Sequence, residues 1–275
     1  MSSQPPKGIG FIGLGSQGGP MAHRIVDAGM PLVVWARRPE VLAAYTDKGA
    51  VAAATVAELG AQCRHVGVCV VNDADVLGIC DQLIPAMPAG GVIAIHSTVL
   101  PETVVELERR CAEAGLQLVD APVSGGEPAA RAGVLTVMCG GEAGAFAAAR
   151  PVFDTFGKMV VLLGAAGAGQ RAKIVNNALL SAHIGIAWSA LGAAAQLDID
   201  KAALAELIKE SSGRSFGFEV AARLPAPQAF EHGARLLHKD IELLKTILPG
   251  DPGVTALWNA GGEFLLAATG ADNKE

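Results

Sequence analysis

The sequence predicts an α/β fold with a doubly wound parallel sheet over residues 1–164, followed by an all-α C-terminal domain over residues 165–275. Three observations carry this. Short apolar runs alternate with longer amphipathic ones as far as about Gly164, which is the pattern of repeated βαβ units. After Gly164 the strand-like runs stop and only helical patterning continues. A glycine cluster, GFIGLGSQGGPMA at residues 10–22, joins the first apolar run to the first amphipathic stretch.

The elements follow in order. Residues 9–12, 32–35, 65–71, 92–96, 117–120, 134–139 and 159–163 are short apolar runs, as expected for strands covered on both faces. Helical stretches between the early ones include residues 21–28, ended by Gly29, then 40–48 and 101–114. Crossovers between parallel strands are right-handed, so a doubly wound sheet is the natural topology. GAAGAGQ at residues 164–170 reads as a flexible hinge. A helix from about residue 170 to 197 follows, long for a globular protein. Further helices are expected at 201–211, 215–223, 228–248 and 254–268, punctuated by Pro225, Pro227, Pro249 and Pro252.

Within the long helix, residues 178–195 carry no formal charge over a length that could span a bilayer. Ser181, His183, Ser189 and many alanines and glycines favour a helix packed by neighbours, with no membrane role. Its surplus apolar face is expected to meet a second subunit, giving a homodimer or homotetramer through the helical domain.

Composition narrows the function. The 275 residues are 51% hydrophobic and 17% charged, enough for a sizeable core. A net charge of -6 argues against a nucleic-acid or anionic-membrane surface. Cys63, Cys69, Cys80, Cys111 and Cys139 form no CxxC pair, and no histidine stands at metal-ligand spacing. They read as reduced thiols in a cytoplasmic protein with no metal site. The opening MSSQPPK lacks an apolar core, so no signal peptide is expected.

Within the glycine cluster, Gly13, Gly15 and Gly18 make G-x-G-x-x-G, with Leu14, Ser16 and Gln17 between them. The motif follows a strand and opens a helix, the context of a Rossmann-type dinucleotide site. The first glycine permits the tight turn, the second admits a pyrophosphate, and the third lets helix and strand pack closely. The second strand ends in VVWARRPE. An NAD site usually has Asp or Glu there to accept bonds from the ribose hydroxyls. Arg37 and Arg38 cannot accept them, but they can fork onto a 2′-phosphate, which favours NADP over NAD.

Later stretches extend the picture. Ser97-Thr98-Val99 ends a strand. DAPVSGGEPAARAGVLTVMCGG occupies residues 120–141, GAGQRAKIVNN opens the long helix at residues 167–177, and Lys239-Asp240 comes late. With the glycine cluster, these resemble the β-hydroxyacid dehydrogenases, the family of 3-hydroxyisobutyrate dehydrogenase, over nearly the whole chain. The resemblance implies reversible hydride transfer between a nicotinamide and the hydroxyl-bearing carbon of a small, carboxylated 3-hydroxy acid. It implies Lys173 as the catalytic lysine, with Asn177 on the same helix face orienting the substrate and Asn176 turned towards backbone. Ser124, Gly125 and Gly126 would take the substrate carboxylate. Thr98 would lie beside the nicotinamide, Lys239 would reach the cofactor, and Asp240 would hold its helix in register.

The chain departs from the family pattern at three places. Gln17 stands where methionine is common, Val70-Val71 replaces Leu-Pro, and His96 replaces an acidic residue. His96 is expected to be structural. Two alternatives remain. An imine reductase on the same architecture would typically lack the lysine and the Ser-Gly-Gly loop. A non-catalytic nucleotide-binding or chromatin-associated module fits poorly with Lys173, Asn177 and the acidic balance.

Overall fold

The computed structural model describes residues 8–270; MSSQPPK, with its expectation of no signal peptide, lies outside the described residues, as do residues 271–275. The chain divides into two compact units between Lys173 and Ile174. The first contains β1 (Gly8–Ile12), α1 (Gly18–Asp27), β2 (Leu32–Trp35), α2 (Ala43–Thr46), β3 (Val51–Ala52), α3 (Val56–Gln62), β4 (Cys63–Val68) and α4 (Asp73–Leu83). It continues with β5 (Val92–Ile95), α5 (Pro101–Glu113), β6 (Gln117–Asp120), β7 (Val123–Ser124), α6 (Gly126–Ala132), β8 (Leu135–Gly141), α7 (Ala143–Phe153) and β9 (Gly157–Leu162). The helices α8 (Ala168–Ala193), α9 (Lys201–Lys209), α10 (Phe216–Arg223), α11 (Glu231–Ile247) and α12 (Pro252–Thr269) follow.

The sheet runs β3-β2-β1-β4-β5-β6-β8-β7, with β9 also paired to β8. From β3 to β6 every pairing is parallel, as the alternating pattern implied. Beyond β6 the sheet departs from that rule: β8 runs antiparallel to β6 and β7. The β6–β8 contact sets Asp120 opposite Gly140, where a Cβ would lie 2.4 Å from the Asp120 carboxylate. Glycine there is what lets the strands meet.

Neighbouring residues of the central strands enter opposite cores. Phe11, Val34, Ala94 and Val119 join one cluster, while Ile12, Val33, Ile93, Ile95 and Leu118 join the other. This period of two, buried on both faces, is why the strands read as continuous apolar runs. Some boundaries move. The run 65–71 leaves the sheet after Val68, and the stretch 40–48 resolves into a 3₁₀ turn, Pro39–Val41, and α2. β3 and β7 have two residues each, too few for alternation to be visible.

His65 and His96 sit in the core of the first unit, 5% and 3% exposed, packed against Phe153. Burial pushes the His65 pKa down to about 3, helped by His96 beside it. Burial likewise lowers His96 to about 4, partly opposed by its bond to the Ala121 carbonyl at 2.8 Å. Both rings are therefore neutral when folded and take up protons on unfolding as pH falls below their ordinary value near 6.5. Stability is complete above that pH and drains away between it and the folded values. The His65 contribution alone amounts to about 2 kcal/mol by pH 5. Neither His65 ring nitrogen has a partner among the described residues, so His65→Leu is expected to lessen the loss. Denaturant melts at pH 8 and pH 5 measure it, and an unchanged difference between them refutes the assignment.

In the second unit Ile184, Leu191, Phe218, Leu237, Ile241 and Leu265 belong to a separate core. The small residues of α8 have a reason. A Cβ at Gly185 would lie 2.2 Å from the Ala260 carbonyl of α12, and one at Gly261 would lie 2.5 Å from Ser181 Oγ. The two helices touch backbone to backbone. By length and composition α8 could cross a membrane; half of its most apolar window is buried within the protein. Val175, Leu179 and Ile186 remain exposed. The GAAGAGQ stretch read as a flexible hinge is already helical from Ala168, and the N–H groups of Gly167 and Gln170 are bonded to Asp120.

Candidate active site

The turn between β1 and α1 is built as its glycines predict. Gly13 has a φ of +96°, and a Cβ there would lie 2.0 Å from the Cys69 carbonyl oxygen. A Cβ at Gly18 would meet the Gly13 carbonyl at 2.0 Å and the Phe11 ring at 3.1 Å, so strand and helix press together there. Gly15, in contrast, opens onto free space on its Cβ side. The first and third glycines are demanded by the protein's own packing. The second leaves backbone accessible to a ligand. No side chain caps α1, so the positive end of its dipole faces the turn.

Over this turn lies a cleft of about 480 Å³, lined by Gly13, Leu14, Gly15, Arg37 and Arg38 among others. No carboxylate stands at the end of β2. The lining also includes Val70 and Val71 after β4, where the chain departs from the family's Leu-Pro, and Cys69 and Asp75, which sequence reasoning missed. Arg37 Nη1 lies 3.4 Å from Asp75 Oδ1, and its side chain is 70% exposed. Ser16 is exposed, whereas Gln17 Nε2 is buried with no partner among the described residues. The glycine backbone, uncapped helix and arginine pair together fit a dinucleotide.

The loop after β5 is anchored on two sides. Ser97 Oγ accepts from Val70 N–H at 2.8 Å. Asp73 Oδ1 accepts from Leu100 N–H at 3.0 Å and from Thr103 Oγ1 at 2.6 Å. From the other side Gln170 bonds Ser97 and Val99. Half-buried Thr98 stands between these anchors. Asp120, fully buried at the end of β6, accepts the N–H groups of Gly167 and Gln170 at 2.8 Å each. Burial raises its carboxyl above the usual range, and these backbone bonds oppose the shift. Asp120 and Gln170 lie inside recognisable motifs, yet no local signal assigns them these partners.

Ser124 ends β7 opposite Thr136. Gly125 and Gly126 follow with φ of +131° and +68°, a backbone path that a side chain would strain. Lys173 lies half-buried in the second turn of α8.

In the second unit Asn177 is buried, and its Nδ2 donates to Asp240 Oδ2 at 2.5 Å. Asn176 Nδ2 donates to Asn177 Oδ1 at 3.1 Å, so Asn176 meets its neighbour's side chain rather than the expected backbone. Asp240 is likewise buried, with Lys239 Nζ 3.4 Å from its Oδ1. The bond it accepts fixes which way the Asn177 amide points. Phe218 belongs to the core, whereas Phe216 is exposed. Burial pushes the thiols of Cys63, Cys80, Cys111 and Cys139 up to about 12, which makes them inert as nucleophiles.

Comparison with known proteins places this geometry. Residues 8–164 match the model for the NAD binding domain of 6-phosphogluconate dehydrogenase. Residues 167–252 match the NAD-binding domain of NADP-dependent 3-hydroxyisobutyrate dehydrogenase. L-threonate dehydrogenase of Cupriavidus necator is 39% identical over 78% of this chain and 73% of its own length. 3-hydroxyisobutyrate dehydrogenase of Pseudomonas aeruginosa is 35% identical over 86% of this chain and 83% of its own. Among solved structures, Psf3 in complex with NADP+ and 2-OPP superposes with a TM-score of 0.82 at 27% identity, covering 93% of this chain and 92% of that one.

Proposed function

The chain belongs to the β-hydroxyacid dehydrogenase family, acting on CH–OH groups with a nicotinamide cofactor, and from that premise we propose that it is an NADP-dependent enzyme of small 3-hydroxy acids or their semialdehydes. The observation that carries the cofactor choice is the pair Arg37 and Arg38 at the rim of the cleft, with no carboxylate at the end of β2. Their guanidinium groups suit a 2′-phosphate. Gly13, Leu14, Gly15, Ser16, Gln17 and Gly18 hold the pyrophosphate. Thr98 lies beside the nicotinamide and Lys239 reaches the cofactor. When bound, NADP supplies the hydride acceptor, or in reduced form the donor.

The protein's own residues do the rest. Ser124 and the N–H groups of Gly125 and Gly126 bind the substrate carboxylate. Asn177, its amide oriented by Asp240, aligns the substrate. In reduction the Lys173 ammonium steadies charge developing on the carbonyl oxygen and delivers a proton to it. In oxidation the neutral amine takes the hydroxyl proton. Residues 1–164 carry the cofactor turn and the carboxylate loop, and residues 165–275 carry Lys173, Asn177 and Lys239 together with a homodimer or homotetramer contact. The enzyme works in the cytoplasm.

An NADP-linked absorbance screen over short 3-hydroxy acids, with serine and threonine analogues and matched imines, tests the reading. Turnover of hydroxy acids with NADP supports it. Faster turnover with NAD overturns the cofactor choice, and turnover of imines alone would mark a reductase of imines. Ser124→Ala is expected to raise KM for carboxylated substrates about tenfold with kcat nearly unchanged. An equal rise for an uncharged aldehyde would show that Ser124 does not anchor the carboxylate.

A further inference from the structure

One side chain joins the loop after β5 to the start of α8. Gln170 is fully buried. Its Oε1 accepts from Val99 N–H at 3.1 Å, and its Nε2 donates to the Ser97 carbonyl at 2.9 Å. It thus satisfies backbone groups on both sides of Thr98, through the acceptor and the donor that an amide offers together at neutral pH. Its own N–H donates to Asp120. With Gly167 N–H bound to the same carboxylate, two donors at the start of the helix are fixed to the end of β6. A Cβ at Gly169 would lie 2.8 Å from Asp120 Oδ2 and 2.2 Å from the Met138 carbonyl, so the helix start is seated as closely as backbone allows. Lys173 follows Gln170 by three residues, just under one turn.

We infer that Gln170 is a positioning residue for catalysis: it ties the helix bearing Lys173 to the loop bearing Thr98. The spacing between the proton-transferring amine and the side of the nicotinamide is thereby held through turnover. The inference rests on the roles proposed for Lys173 and Thr98. Displacements on the order of 1 Å in such an arrangement cost about a hundredfold in rate, and an unlinked loop and helix have freedom of that size.

Two variants test it, each with readouts that a purely structural role would not move. In Gln170→Met, which keeps length and burial, kcat is expected to fall about 30- to 100-fold, with substrate KM and NADPH affinity within about threefold. The isotope effect from substrate deuterated at the reacting carbon should rise, and amide hydrogen exchange should quicken over residues 97–100. In Gln170→Glu, the carboxylate still accepts from Val99 but repels the Ser97 carbonyl, whereas the protonated acid can donate to it. Its kcat should therefore recover as pH falls, giving a limb absent from the parent enzyme.

Full-speed Gln170→Met with a loosened loop overturns the inference, as does an unchanged exchange rate over residues 97–100. If Gln170→Met does not fold, the pH profile of Gln170→Glu decides, and the absence of acid recovery there counts against it. Lys173→Ala separates the two readings. Retained turnover in that variant removes the proposed role of the lysine, whereas the exchange result at residues 97–100 stands independently.

Discussion

Lys173→Ala is expected to slow kcat by about 10³-fold while NADPH affinity stays within about threefold. The asymmetry follows from chemistry. Reduction of a carbonyl leaves charge on oxygen, and a positioned ammonium both screens that charge and ends it by proton transfer. Neither contribution exists before the reaction, so binding of the cofactor alone should barely register the loss. Lys173→Arg sharpens the test, because guanidinium keeps the positive charge but does not release its proton. If Lys173→Arg stays near the alanine level, proton transfer dominates; if it recovers most of the rate, electrostatic screening does. Single-turnover absorbance and NADPH fluorescence titration read the two quantities, and undiminished turnover in Lys173→Ala removes the lysine from the mechanism.

Arg38→Ala is expected to weaken NADPH binding about ten- to hundredfold and leave NADH unaffected. That range corresponds to one lost charge-assisted contact of about 1.5–3 kcal/mol. Arg37 differs from its neighbour because Asp75 lies 3.4 Å away across the cleft. An exposed pair of this kind is worth little, so Arg37 can turn from Asp75 to a phosphate at small cost. Arg37→Ala should therefore show a smaller preference for weakening NADPH than Arg38→Ala. Added salt should weaken NADPH more than NADH, since only the former carries the extra charge. Equal losses for both cofactors in Arg38→Ala would mean that the arginine does not read the 2′-phosphate.

The acid sensitivity expected of His65 comes from a different layer of the molecule. Both buried histidines belong to strands or strand ends that read correctly as apolar runs, yet nothing local marks His65 as sealed beneath Phe153. The same division applies to the candidate site. Gly13, Gly15 and Gly18 are legible because their spacing marks a turn from strand to helix, although the group that crowds Gly13, the Cys69 carbonyl, is distant in sequence. Arg37 and Arg38 are legible because they end a strand whose position in a βαβ unit is known. Asp75, by contrast, reaches Arg37 from 38 residues away.

By itself, the amino-acid sequence determined what depends on short range: alternation that places strands between two cores, the glycine turn that opens α1, and the change to helices after Gly164. Long motifs also determined the family. Only the tertiary structure decided the antiparallel return of β8, the start of α8 at Ala168, and the partners of Asp120, Gln170 and Asp240. Asp120 reaches Gly167 across 47 residues, Gln170 reaches Ser97 across 73, and Asn177 reaches Asp240 across 63. A buried polar group must find a partner wherever the packed chain brings one, and no local pattern records where that will be.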